Sequence, residues 1–208
     1  DIKQSFGKNK TVRLGYSYFP DYFVRTLFDG DYTGDERYRK AKYDKNRIFI
    51  RGWMKFMESL SGWAEYDFSK TNYNADFNER DNEENTISLG IKKEINTRIS
   101  IFATGEFSSL DAKAHDNDTA EDPDISSQSY LAGVGLLAGI TKKIDLGLAY
   151  NFQWVDFTTN NSLANDPYHR DRKDKKQDIS TELMYSFSDN AAFSLNYAYK
   201  INSANLET

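Results

Sequence analysis

A chain of 208 residues with 32 acidic against 27 basic side chains and a formal charge of −5 does not suit nucleic acid as a general partner. Cysteine is absent, which excludes disulfides and thiolate metal sites, and no window approaches the roughly 18 consecutive apolar residues of a membrane-crossing helix. Aromatic residues make up 15%, with 14 Tyr and 14 Phe against three Pro, a composition of strands rather than of helices or disorder.

The N-terminus DIKQSFGKNK lacks the basic-then-apolar plan of a secretory signal, so an exported protein would be met here in processed form. Residues 1–10 read as a polar segment, and 11–208 as a β-barrel domain that is either whole or part of a larger one. Residues 11–28 set Val12, Leu14, Tyr16 and Tyr18 against Arg13, Gly15 and Ser17, and Pro20 marks a bulge or a tight turn before Val24 and Phe28. Residues 47–57 set Ile48, Ile50, Met54 and Phe56 against Arg47, Arg51, Trp53 and Lys55. After ESLS, residues 62–77 set Ala64, Tyr66 and Phe68 against Trp63, Glu65 and Asp67.

Ile87, Leu89 and Ile91 carry the pattern through 86–93, and after EINT it continues at Ile99, Ile101, Ala103 and Phe107. Residues 131–152, LAGVGLLAGITKKIDLGLAYNF, form a hairpin in which folding about Lys142 brings Ile140 opposite Ile144, Leu136 opposite Leu148 and Ala132 opposite Phe152. Strands over 177–187 and 191–201 close the series. About nine strands result, or ten if the first segment is split at Pro20, and many exceed the ~5–6 residues usual for a globular strand.

The connections alternate between tight (ESLS, EINT, TKK, SDN) and long, polar ones at 29–46, 78–85, 111–127 and 158–176. That two-ended asymmetry is the plan of an outer-membrane barrel. Alternation alone also fits a soluble β-sandwich. Lipid on the apolar side is favoured by Leu, Ile and Ala at mid-strand with Tyr130, Phe152, Trp154, Tyr197 and Tyr199 toward the ends, and by Arg13, Arg51, Lys55, Glu65, Asp67, Glu106 and Glu182 on the polar side. The expected fold is all-β, an antiparallel up-and-down transmembrane β-barrel of about 9–10 strands.

YDKNRIFIRGWMKFMESLSGWAEYDFSKTNYN and KKQDISTELMYSFSDNAAFSLNYAYKINSANLE resemble the porin-type outer-membrane β-barrels of Gram-negative bacteria, and their texture resembles the barrels of exopolysaccharide-export operons. The resemblance implies a channel or a scaffold in the bacterial outer membrane and brings no catalytic or ligand motif with it.

Pairing about ESLS is expected to set Lys55 opposite Glu65, with Asp67 diagonal to Lys55 and Arg51. This lumenal charge ladder either sets a field for permeating ions or keeps charges satisfied in a narrow barrel. Gly133, Gly135, Gly139 and Gly147 make the opposite wall smooth, leaving room for water or an inserted partner, or relieving crowding in a bent sheet. In YHRDRKDKK, the basic Arg170, Arg172, Lys173, Lys175 and Lys176 face lipopolysaccharide phosphates or other anions, or belong to an ordinary solvated loop. Asp116, Asp118, Asp122 and Asp124 in HDNDTAEDPD could hold Ca²⁺. They lack the spacing of an EF-hand, so the acidic loop is read as solvated and no metal or other cofactor is expected.

The two histidines, His115 and His169, lie in loops and in no recognisable Ser or carboxylate arrangement, so no enzyme is expected. The expected function is a porin or channel for small hydrophilic solutes or an exported glycan. The alternative is a barrel scaffold that houses a plug or partner protein in its lumen or displays its loops. Outer-membrane lipid and lipopolysaccharide are the expected surroundings.

Overall fold

The computed structural model describes residues 1–28, 38–116, 124–188 and 191–205. They form one antiparallel sheet whose ten strands lie in chain order: β1 (Ile2–Phe6), β2 (Lys10–Phe28), β3 (Tyr38–Met57), β4 (Leu60–Tyr73), β5 (Asn82–Glu94), β6 (Ile99–Ala112), β7 (Ser127–Gly139), β8 (Ile144–Phe157), β9 (Lys173–Ser188) and β10 (Ala191–Asn205). Two 3-10 turns, Ala75–Arg80 and Lys113–Asp116, sit in the longer connections.

The tenth strand comes from the polar N-terminal segment and not from a split at Pro20. Ile2 to Phe6 pair with Leu14 to Lys10 across a turn at Gly7, whose φ of 67° suits a residue without a Cβ. The run escapes a periodicity search because it is five residues long and carries Gln4 at an apolar position. β2 passes straight through Pro20, which has no N–H to give to the ladder. The register slips there between Phe19 and Tyr22, Asp21 takes a φ of 48°, and its N–H donates to Asp44 Oδ1 at 2.7 Å.

Other elements also reach further than their apolar pattern. β3 begins at Tyr38, inside the segment 29–46 expected as a loop, because lysines and arginines can continue a strand above the apolar belt. The turn joining β3 to β4 is only Glu58 and Ser59, with Met57 opposite Leu60. Recruiting Leu60 and Ser61 into β4 moves the register, so that Lys55 faces Ser61 and Arg51 faces Glu65. The β7–β8 hairpin keeps its expected register, with Leu136 opposite Leu148, Ala132 opposite Phe152, and the Ile140 N–H donating to the Ile144 carbonyl at 2.8 Å.

The apolar side chains lie on the outside. Leu148 is 41% and Leu195 57% exposed, whereas Glu65 on the opposite parity is 9% exposed. Among the described residues the buried hydrophobic side chains are Ala41, Phe77, Ala112, Ala114 and Val155. That set is too small to be the dry core of a sandwich, and a sheet whose polar face is the more shielded is curved around that face.

At the long-loop end of the apolar band the tyrosines lie body-down with their hydroxyls on polar partners: Tyr16 donates to Asn46 at 2.7 Å, Tyr66 to Asn85 at 2.6 Å and Tyr150 to Gln177 at 3.1 Å. Phe107 meets Tyr130 at 5.1 Å between ring centres, and Phe152 meets Trp154 at 4.0 Å. This is the arrangement of amphipathic rings at a lipid–water interface. β1 pairs with β2 and β10 with β9, and among the described residues no pairing joins β1 to β10.

Candidate functional site: the inner wall and its rim

Successive partners run across five strands as a single rung, Arg13–Arg51–Glu65–Ser88–Glu106. Arg51 Nε donates to Glu65 Oε2 at 2.5 Å, Arg47 Nε donates to Asp67 Oδ2, and Arg47 Nη2 lies 3.7 Å from Glu65 Oε1. Both carboxylates lie low in the wall with the guanidiniums laid over them. Aromatic rings hold the guanidiniums in place: Phe49 has Arg13 at 5.5 Å and Arg47 at 5.3 Å from its centre, and Arg51 sits 5.0 Å from the centre of Trp63.

The ladder anticipated from sequence is therefore corrected in its partners. Arg51, Glu65 and Asp67 come together through Arg47, while Lys55 joins no ion pair among the described residues. The two-residue turn accounts for this. Phe49, Trp63 and the pairing role of Arg47 were not legible, although Phe49 and Trp63 on a polar parity were a signal that could have found them. Further round, Ser88 donates to Glu106 at 3.0 Å and Ser108 to Glu84 at 2.7 Å, with Lys45 3.8 Å from Glu84.

Gly133, Gly135, Gly139 and Gly147 do lie on the inner face, but neighbouring strands cover it. A Cβ at Gly135 would fall 2.2 Å from the Phe102 ring, and one at Gly133 would fall 2.3 Å from Asn151 Oδ1. Gly147 lies against Leu137 and Glu182, and Gly139 beside Asp145. Phe49 over Gly15 and Trp63 over Gly90 repeat the device, in which a flat ring shields a bare stretch of strand. Gly139 and Gly147 line a cavity of about 420 Å³ near the short-turn end, together with Arg98, Asp145 and Glu182.

The basic segment after Tyr168 is divided by the strand that contains it. Lys173 to Lys176 belong to β9, so Lys173 and Lys175 take the outward parity, Lys175 beside Trp154, while Lys176 takes the inward parity beside Gln153. Arg172 donates from Nε and Nη2 to the two oxygens of Asp174, both at 2.8 Å, and stacks 4.9 Å from the Phe157 centre. The hydrogen bond to Asp174 pushes its already high pKa further up, so it is a fixed cation. Arg170 donates to the Thr159 carbonyl at 3.1 Å. The five residues do not act as one patch.

The long-loop rim is sewn together by buried polar groups. Asp166, with its side chain 1% exposed, takes the Asp124 N–H at 3.1 Å and His169 Nδ1 at 2.8 Å; Asp124 takes the Ser126 N–H at 2.9 Å, and Ser126 Oγ takes the Ala112 N–H at 2.9 Å. Of the suggested cation ligands, Asp118, Asp122 and the side chain of Asp116 lie outside the described residues, and Asp124 is engaged as stated. Among the described residues no three such ligands converge.

No family model and no curated protein sequence matches the chain. Among solved structures it is similar to the outer-membrane-expressed OmpT of Vibrio cholerae, at 14% identity and a TM-score of 0.57, over 74% of this chain and 44% of that one. The chain thus spans less than half the length of that protein. The fold is an all-β, antiparallel outer-membrane-type β-barrel fold.

The expectation that it is not an enzyme is corrected on this finding. A likeness to OmpT gives a fold, and one fold carries unrelated functions, catalysis among them. The His169–Asp166 pair, missed because its partners are set by loop folding, also removes the observation on which that exclusion rested.

Proposed function

We propose that the chain forms the wall of an outer-membrane channel for small hydrophilic solutes or an exported glycan. The observation that carries this reading is the inner face itself: Arg13, Arg47 and Arg51 keep side-chain exposures of 46%, 39% and 44% on the side that a soluble protein would pack dry. Charges in that position call for water around them. The open edges of β1 and β10 would be paired in the bilayer by further strands of a larger barrel, since unpaired backbone groups are not tolerated in lipid.

Lys175, outward beside Trp154, and Lys173, outward beside Asp156 at 3.9 Å, are the residues we assign to lipopolysaccharide phosphates. Conductance of the purified, folded protein in a planar bilayer tests the channel. Discrete current steps support it, and a folded barrel that inserts without current overturns it.

A scaffold that displays its rim is the second reading, favoured by the buried Asp124–Asp166–His169 knot, which gives the long loops a defined shape. Retention of a stoichiometric partner through purification, lost on shortening 158–172, would support it.

A further inference from the structure

We infer that the inner face of β2–β4 is an anion track, and that the solutes taken by this wall are polyanions bearing two or more carboxylate or phosphate groups. The inference rests on the channel reading and names its substrate class.

Arg13 and Arg51 are direct cross-strand partners. Like charges so placed repel, and each is offset by its own carboxylate, Asp1 on Arg13 and Glu65 on Arg51. Arg13 is held over the Phe49 ring with Asp1 on its Nε and Nη2, Arg51 is held over the Trp63 ring, and Arg47, four positions along β3, reaches with Nη2 toward the same Glu65 carboxylate that Arg51 holds. Glu65 and Asp67 neutralise the group from below, and each engages its arginine through Nε. The Nη nitrogens of Arg47 and Arg51 donate no hydrogen bond to any described residue.

A planar fork with free Nη donors, half exposed and immobilised on a ring, is the geometry that receives a carboxylate or phosphate in bidentate fashion. An anion lodged on the Arg51 Nη fork, beside the Arg13–Asp1 pair, adds attraction to the rung, and a second anionic group reaches the Arg47 fork. The far side of the rung has the opposite sign: Glu106 takes a hydroxyl hydrogen bond from Ser88 and no cation among the described residues. The lumen is therefore polarised across its width, and an anion is drawn to β2–β4 rather than to β5–β6.

Citrate, a trianion near neutral pH, is the probe, with glucose as the uncharged control. The full-length protein, folded in detergent micelles at low salt, is titrated while tryptophan emission is read, since Trp63 lies under Arg51. Citrate is expected to give a saturable change that glucose does not, abolished in Trp63→Phe. The dissociation constant should rise about tenfold in the Arg51→Gln/Glu65→Gln double variant, which removes the fork and leaves no carboxylate unpaired. Arg13→Gln, at a site that among the described residues is bonded to Asp1 and stacked on Phe49, should weaken binding in the same direction. Equal responses to citrate and glucose, or citrate binding unchanged in both variants, overturn the inference. Bilayer recordings separate the two readings: citrate binding without current preserves the track and removes the channel, whereas current without citrate binding preserves the channel and removes the track.

Discussion

The β2–β4 and β7–β8 walls share an outer face and differ within. Outside, Leu14, Ile50 and Tyr66 on one and Leu136, Leu148 and Tyr150 on the other repeat the same apolar alternation, because lipid imposes the same requirement on every strand. Inside, β2–β4 carries its own bulk as arginines, carboxylates and rings, each of which needs a particular partner at a particular height. β7–β8 carries less and borrows part of it: Phe102 reaches in from β6 and Glu182 from β9 to join its own Leu137 and Asn151 in covering glycine backbone. One wall depends on register through charge, the other through close contact.

The largest effect should come from putting charge on the face the two walls share. Leu148→Arg is expected to destabilise the folded protein by about 2–4 kcal/mol in lipid vesicles, by urea unfolding, and Ala149→Arg, one residue on and facing inward, by clearly less. Equal losses at the two positions would erase the distinction between outside and inside.

Next in size is a test of borrowed bulk. Gly135→Val sets a side chain against the Phe102 ring and the Leu148 carbonyl, 2.7 Å away, and should cost about 1–3 kcal/mol, part of which Phe102→Ala restores. Gly52→Ala, where a Cβ meets nothing within 4 Å, serves as the neutral comparison.

A smaller loss, about 1–2 kcal/mol, is expected for Glu65→Gln, which strips the carboxylate from Arg51 and approaches half-exposed guanidiniums that water partly compensates. Removing Arg51 as well should recover part of it, and a double variant no better than the single would show that the pair is not the unit of stability. Smallest of all, Lys173→Gln with Lys175→Gln should leave stability within about 0.5 kcal/mol. It should reduce retention on lipopolysaccharide-containing vesicles relative to phosphatidylcholine ones.

Legibility followed the physics of each feature. The β7–β8 register was readable because a TKK turn flanked by strict alternation leaves one pairing that keeps both apolar sets on one face. The β3–β4 register was not, since sliding Lys55 from Glu65 to Ser61 preserves parity and every apolar side chain stays outside; only the length of the turn separates the two. Asp166 and His169 were hidden for a different reason. They lie three residues apart in a segment without period, and their meeting depends on how loop 158–172 folds over Asp124.

What the residues determined unaided is the alternation, and with it nine of the ten strands and their antiparallel order, because a period of two is a local property that survives any choice of register, whereas the outward turn of the apolar set was settled by its exposure in the folded sheet. Tertiary structure alone decided which arginine covers which carboxylate, that rings lie on the glycines, and how one basic stretch is divided among lipid face, lumen and rim. Those outcomes depend on the height of one strand against the next, and a shift by an even number of residues leaves the sequence pattern unchanged.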